Sequence, residues 1–174
     1  ESIKALKKKK IKPKKKNFFL LTLHRPETVD DKQKFFKLLM NLNNIAKKLN
    51  IPFIFPMHPR SKKKITKKNL LKLNFFKIIK PLDYLNFISY LKSCKIVLTD
   101  SGGIQEESYI LNKPCITIRN NTERQVTTFQ KSNIVSGYNK FKIEKSIKYL
   151  INKKIKNQNI FGKDISNKII SDIK

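Results

Sequence analysis

The chain of 174 residues has too few cysteines for a disulfide scaffold, since Cys94 and Cys115 are the only two. They have no metal-ligand spacing, and each lies beside an apolar, strand-like run, so we interpret both as reduced thiols in a core. The basic start of the chain is not followed by an apolar stretch long enough to span a bilayer. These absences predict a cytoplasmic protein of about one domain, with no membrane association, no bound metal and no cofactor.

Acidic residues are scarce as well: 12 stand against 40 lysines and arginines, which gives a formal net charge of +28. Such a charge is typical of proteins that bind nucleic acid or an anionic surface. The run from Lys7 to Lys16 holds eight lysines in ten positions, but it has no interleaved aromatic side chains for stacking on bases. We therefore predict a solvated basic surface and no nucleic-acid partner. A basic module that binds nucleotides or nucleic acid without catalysis is the alternative.

Arginine is almost absent, because lysine fills most positions that need only a cation; the four arginines are Arg25, Arg60, Arg119 and Arg124. A guanidinium group offers a planar fork that suits phosphate and that an ammonium group cannot imitate. The two histidines, His24 and His58, each lie within two residues of an arginine. These positions are candidate anion contacts. Ion pairs with neighbouring acidic residues are the alternative for Arg25 and Arg119.

Short apolar runs alternate with amphipathic stretches along the chain. The pattern predicts strands at residues 17–24, 51–56, 75–79, 95–99, 114–118 and 132–135. It predicts helices at residues 30–49, 61–73, 83–92, 102–111, 142–152 and 163–173. This alternation indicates an α/β fold, a Rossmann-like parallel sheet with helices on both faces. Ligands of such sheets bind beyond the carboxyl ends of the strands, where His24, His58, Leu82, Ser101 and Arg119 are expected.

The stretch from residue 96 to residue 107 is the most informative one, because an apolar strand runs into Ser101-Gly102-Gly103 and then into a helix. Backbone N–H groups at the start of a helix bind phosphate well. Glu107 lies about a turn further on, where its carboxylate can accept hydrogen bonds from neutral hydroxyl groups. The layout predicts a site for a nucleotide sugar. An ordinary tight turn with Asp100 or Ser101 as the helix N-cap is the alternative.

Five segments together resemble the C-terminal half of non-hydrolysing UDP-N-acetylglucosamine 2-epimerases, in order and spacing: TLHRPETVD (22–30), FPMHPR (55–60), PLDYLNF (81–87), TDSGGIQEE (99–107) and TER (122–124). The resemblance implies the second domain of a two-domain, glycosyltransferase-B-like fold. Residues 17–174 would form a UDP-binding, Rossmann-like domain after a basic post-hinge segment, 1–16. We expect a fragment, a split gene product or a truncated form of a longer enzyme.

The family's reaction interconverts UDP-GlcNAc and UDP-ManNAc by eliminating UDP and adding it back with C2 inverted. Its proton-transferring carboxylates belong to the N-terminal domain, so the resemblance implies that this chain binds UDP and is inactive alone. An epimerase or hydrolase acting on a related UDP-sugar is an alternative. The implied partners are UDP-GlcNAc and UDP, the N-terminal domain in cis or in trans, and a second copy in a homodimer of the full-length enzyme.

The resemblance also carries over site roles residue by residue. His24 is implied to contact the diphosphate and to be catalytic. The other implied UDP-sugar contacts are Ser101, Gly102 and Gly103 at the diphosphate, Glu107 at the ribose, Arg124 at a phosphate or the sugar, and the Leu82 backbone and Phe87 at the uracil. Thr28 stands where the family usually has asparagine, and Gln125 follows Arg124 where proline is common.

Overall fold

The computed structural model describes residues 17–157, which form one six-stranded parallel sheet in the order β3-β2-β1-β4-β5-β6. The strands are β1 (Phe19–Thr22), β2 (Phe53–Pro56), β3 (Phe76–Ile79), β4 (Ile96–Thr99), β5 (Cys115–Thr117) and β6 (Asn133–Val135). Each observed strand lies inside a predicted one. The order reverses between β1 and β4, and this switch point is where Rossmann-like sheets bind their ligands.

The helices are α1 (Pro26–Val29), α2 (Lys32–Leu49), α3 (Pro59–Lys62), α4 (Lys67–Leu70), α5 (Tyr84–Ser93), α6 (Gly102–Ile110) and α7 (Lys140–Leu150), with a 3₁₀ turn at Gln125–Thr127. Local chemistry sets the bounds of α2. The Asp31 side chain accepts hydrogen bonds from the N–H groups of Gln33 and Lys34, and Asn50 ends the helix in the left-handed conformation. The predicted helix at 163–173 and the basic segment 1–16 lie outside the described residues.

The single helix predicted at 61–73 is wrong, because the chain forms the two short helices α3 and α4 instead. The Thr66 hydroxyl accepts a hydrogen bond from the Asn69 N–H and so starts a new helix within the predicted one. Most of the lysines around this break are exposed, which leaves the segment little apolar surface to hold one long helix against the sheet. The short helix α1, which begins at Pro26, was not predicted either.

Helices cover both faces of the sheet, as predicted. Along β1, the side chains of Phe19 and Leu21 pack with those of α2 and α7 on one face. Leu20 belongs to a second buried cluster on the other face, together with Ile88 of α5. Burying a side chain of this size stabilises the fold by about 1.5–3 kcal/mol, so the two clusters hold the strand ends in fixed positions.

The two cysteines are buried in the core as free thiols, which confirms their interpretation. Burial raises the pKa of Cys94 and of Cys115 to about 12, so neither is a thiolate at neutral pH. Within residues 17–157, no helix has the length and apolar character that crossing a membrane requires.

Candidate functional site

The register of β1 and β4 brings the two most informative loops together. Thr22 pairs with Thr99 in the ladder, and their side-chain hydroxyls share a hydrogen bond of 2.7 Å. Because both strands end at this pair, His24 and Asp100 emerge side by side at the switch point. The two residues are 76 positions apart in the sequence.

Helix α6 begins at this edge with the Ser-Gly-Gly turn. Ser101 occupies the N-cap position in an extended conformation, but its side chain makes no capping hydrogen bond within the described chain. Its N–H instead donates to Oγ1 of Thr99 at 3.0 Å. The N–H groups of the first turn of α6 therefore have no side-chain cap, which is the condition an anion-binding helix end needs. The structure therefore does not form the alternative, an ordinary N-cap of α6 by the side chain of Asp100 or Ser101.

Arg124 lies against this helix start. A methyl group built at Gly102 would meet Nε of Arg124 at 3.6 Å, so the guanidinium sits beside the first turn of α6. Nε also pairs with Oε1 of Glu106 at 2.9 Å. The structure thus brings Arg124 and the Ser-Gly-Gly turn together.

A buried polar network fixes the loop that carries Arg124. The backbone N–H of Arg124 donates to Oγ1 of Thr122 at 3.0 Å, and that hydroxyl donates to Oε1 of Gln105 at 2.6 Å. Nδ2 of Asn133 donates to the same Gln105 oxygen at 3.1 Å and to Oγ1 of Thr127 at 2.8 Å. Gln105 lies on α6, so the network ties the arginine loop to that helix. Sequence analysis missed Gln105 and Asn133, because only the tertiary structure places them together.

His24 is held by Asp100. The Oδ2 atom of Asp100 accepts the backbone N–H groups of His24 and Arg25, each at 2.9 Å. Nδ1 of His24 lies 3.3 Å from Oδ1, and the histidine side chain is 37% exposed whereas Asp100 is fully buried. The sequence suggested Asp100 only as an N-cap, but its carboxylate reaches across to the loop after β1.

Glu107 is half-buried one turn further along α6. Burial raises the pKa of its carboxyl group, while a hydrogen bond from Tyr84 acts in the opposite direction. Tyr84 begins α5, so this contact links the α5 end of the site to α6. Leu82 precedes that helix and is half-buried, between the exposed residues Pro81 and Asp83. Phe87 lies one turn into α5 and packs against the second buried cluster, which gives it a core role whatever else it contacts.

Two of the three remaining arginines, Arg60 and Arg119, form ion pairs. Arg119 is 12% exposed and lies 3.5 Å from Glu27 and 3.4 Å from Glu123, so the structural alternative holds for this residue. Arg60 binds Asp30 through two nitrogens, at 3.3 and 2.7 Å. Arg25 has no ion pair among residues 17–157. The rings of His24 and His58 lie 5.6 Å apart, which places both histidines at the same edge of the sheet.

A Rossmann-like sheet with an uncapped helix end, an arginine and a histidine at its switch point is an arrangement typical of nucleotide-binding domains. The family model described as UDP-N-acetylglucosamine 2-epimerase matches residues 1–174. The chain belongs to the UDP-N-acetylglucosamine 2-epimerase family.

Two curated relatives are archaeal proteins with that name. The protein of Methanococcus maripaludis is 42% identical over 164 residues, which cover 92% of this chain and 45% of the relative. The protein of Methanocaldococcus jannaschii is 44% identical over 150 residues, which cover 84% of this chain and 41% of the relative. The chain therefore spans less than half the length of these relatives.

Solved structures agree with the family and with the predicted fold class. The M. jannaschii UDP-GlcNAc 2-epimerase, crystallised in complex with UDP-GlcNAc and UDP, matches with a TM-score of 0.82 and 41% identity over 90% of this chain and 44% of its own. The Neisseria meningitidis enzyme bound to UDP-GlcNAc matches with a TM-score of 0.76 and 28% identity over 90% of this chain and 44% of its own. The described sheet corresponds to one Rossmann-like half of these epimerases.

Proposed function

We propose that this chain supplies the UDP-binding half of a UDP-N-acetylglucosamine 2-epimerase, an isomerase. The observation that carries the proposal is the convergence of His24, Arg124 and the uncapped first turn of α6 at one edge of the sheet. These groups offer N–H donors and positive charge in one place. That chemistry suits the diphosphate of a nucleotide sugar.

The chain's part in the reaction is to stabilise the leaving group. Elimination places developing negative charge on the departing UDP, and donors already aimed at that charge lower the barrier. The Ser101 hydroxyl, the N–H groups of Gly102 and Gly103 and the Arg124 guanidinium provide such donors. The His24 imidazole donates to a phosphate oxygen when protonated and is the catalytic residue of this half.

The nucleoside is bound further along the same edge. The Glu107 carboxylate accepts hydrogen bonds from the ribose hydroxyls, and Tyr84 holds that carboxylate in place. The Leu82 backbone and the Phe87 ring bind the uracil. Proton transfer at C2 is left to carboxylates of an N-terminal domain, which joins in cis or in trans, and the complete enzyme is a homodimer. The chain alone binds UDP without turnover.

A related UDP-sugar is the second candidate substrate. A curated Pseudomonas aeruginosa protein, UDP-2,3-diacetamido-2,3-dideoxy-D-glucuronate 2-epimerase, is 41% identical over 107 residues, or 61% of this chain and 29% of the relative. Except for Arg124, which is implied at a phosphate or the sugar, the site residues named above are assigned to the UDP part, so they suit both substrates equally. The alternative of a basic module without catalysis predicts binding through salt-sensitive phosphate contacts alone.

Calorimetric titration of UDP into the purified chain, at moderate and at high salt, tests the proposal. We expect saturable binding at one site that survives high salt. Glu107→Ala should weaken it about tenfold or more, as expected for hydrogen bonds to a charged group, and Ser101→Ala about fivefold. Glu144→Ala is the matched control, because Glu144 pairs with Lys48 at the end of α2, toward the opposite edge of the sheet. Binding that disappears at high salt and ignores both substitutions would contradict the proposal.

A further inference from the structure

We propose that Asp100 is a positioning residue for His24, whose imidazole it fixes in the tautomer with the proton on Nδ1, so that Nε2 is the nitrogen offered to the ligand. The expected effect of this tautomer on UDP binding rests on the proposed function. The tautomer itself is a property of the free chain.

The two oxygens of the Asp100 carboxylate have different tasks. Oδ2 is occupied by the backbone N–H groups of His24 and Arg25, at 2.9 Å each. Oδ1 is buried and accepts no hydrogen bond from the described residues, but Nδ1 of His24 lies 3.3 Å from it. Buried carboxylate oxygens are normally hydrogen-bonded, and Nδ1 of His24 is within reach of this one. Nδ1 can donate to Oδ1 only if it carries a proton.

The backbone brings Asp100 and His24 close together. The Thr22 and Thr99 pair ends both strands, so the next residues of each chain segment lie opposite each other. The N–H of Asp100 also donates to the Thr22 carbonyl oxygen at 3.3 Å. Its backbone and its side chain therefore both hold the loop after β1. Asp100 precedes α6 by two residues, so one residue joins the histidine to the start of the phosphate-binding helix.

A proton held on Nδ1 lets the His24 ring act both as an acceptor and as a donor through Nε2 in the same orientation. In the neutral ring, a proton on Nδ1 leaves the lone pair on Nε2. In the protonated ring, Nε2 becomes a donor while Nδ1 keeps its contact with Asp100. The ring can thus gain or lose its second proton next to a departing phosphate oxygen without turning.

The neighbouring histidine provides an internal contrast. Nδ1 of His58 accepts the backbone N–H of Arg60 at 3.1 Å, so that nitrogen carries no proton in the neutral ring. His58 should therefore be in the opposite tautomer, protonated on Nε2. Arg25, the next residue along the chain, donates its backbone N–H to Oδ2 of Asp100.

The first test is ¹⁵N–¹H correlation spectroscopy of the histidine rings in the free, full chain, at a pH where both rings are neutral. The chain has two histidines, and His58→Gln assigns the signals. We expect His24 to be protonated on Nδ1 and His58 on Nε2. A His24 ring protonated mainly on Nε2 overturns the proposal, whether or not the chain binds UDP.

The second test is a double-mutant cycle on UDP binding. Asp100→Asn keeps an oxygen for the two backbone N–H groups but presents an amide donor to Nδ1, which favours the wrong tautomer. We expect Asp100→Asn and His24→Gln each to weaken UDP binding about tenfold. The double variant should lose no more affinity than the more strongly affected single variant, because both substitutions disrupt the same contact. Equal losses from Asp100→Asn with and without His24 would assign Asp100 a backbone role only.

The two proposals can fail separately. A wild-type chain that shows the Nδ1 tautomer but no UDP binding contradicts the proposed function and leaves the positioning of the ring intact. Where Asp100→Asn does not fold, the tautomer of the wild-type chain decides the question.

Discussion

Nε of Arg124 lies 2.9 Å from Oε1 of Glu106, beside the first turn of α6. The arginine that we propose as a diphosphate contact is therefore paired with a carboxylate of α6. Glu106 and Arg124 are both partly exposed, at 33% and 41% of their side-chain surface, but Nε itself is buried and donates no hydrogen bond within residues 17–157. Exposed pairs of this kind contribute about 0.2–1 kcal/mol, which a diphosphate ligand can exceed.

We expect Glu106→Gln to strengthen UDP binding about twofold to fivefold, because the amide no longer competes with the diphosphate for Arg124. Calorimetry at low and high salt measures the change, which should shrink as salt screens the pair. Glu144→Gln removes the same charge from α7 and should leave the affinity unchanged. Weaker binding in Glu106→Gln would mean that Glu106 positions Arg124 instead of competing for it.

Gly102→Ala should separate stability from binding. The new methyl group would meet Arg124 at ordinary contact distance, and the backbone there needs no positive φ. Alanine in a helix should therefore raise the free energy of unfolding by about 0.4–1 kcal/mol. The methyl group fills space beside the first turn, so UDP affinity should fall about tenfold or more.

Gly137→Ala is the contrasting glycine variant. Gly137 has a φ of +61°, and a methyl group there would lie 3.1 Å from Oδ1 of Asn120. We expect a loss of about 1–2 kcal/mol in the free energy of unfolding. Urea denaturation compares the two variants. A Gly102→Ala chain that is destabilised like Gly137→Ala, or that binds UDP normally, would contradict the assignment of Gly102 to the ligand site.

Glu107→Gln should stabilise the fold while weakening UDP binding. Burial raises the pKa of this carboxyl group, so the folded state disfavours its charged form. At neutral pH the neutral amide removes that penalty, and the gain should disappear as the pH falls through the raised pKa, where the wild-type group also becomes neutral. Denaturation midpoints at neutral and acidic pH measure this.

Glu144→Gln is the control, because it should change the stability of the fold in the opposite direction. Hydrogen bonds from Lys48 and Lys148 lower the pKa of Glu144, so its charged form stabilises the fold and the amide should destabilise it at neutral pH. If both glutamine variants shifted stability in the same direction, the burial explanation for Glu107 would not stand.

The Asp30 cluster predicts an acid-dependent contribution to stability. Hydrogen bonds from Arg60 and Lys64 lower the pKa of Asp30 from 3.8 to about 2. The charged form is thus favoured in the folded state, and its contribution is present above pH 3.8 and lost as the pH falls through about 2. We expect Asp30→Asn to melt at a lower temperature than wild type at neutral pH, with a difference that closes in strong acid. A difference independent of pH would exclude this origin.

The strands and the longer helices were predictable because their signals are local. All four residues of β1, β2 and β4 are buried, and a strand covered on both faces needs a continuous apolar run. The Ser-Gly-Gly turn and the helix after it were predictable for the same reason. The prediction of one helix at 61–73 was wrong, because Thr66 caps a new helix within a segment whose helical pattern is weak.

The sequence by itself determined the parallel α/β architecture, the family and the loop at the start of α6, since apolar periodicity and contiguous motifs act over short distances. Only the tertiary structure decided that Asp100 turns to His24 instead of capping α6, that Gln105 holds the Arg124 loop, and that Glu106 pairs with Arg124. Asp100 reaches His24 across adjacent strands, and Gln105 joins a loop 17 residues away. Such contacts depend on strand order and register, which burial of the whole sheet fixes and which no single segment encodes.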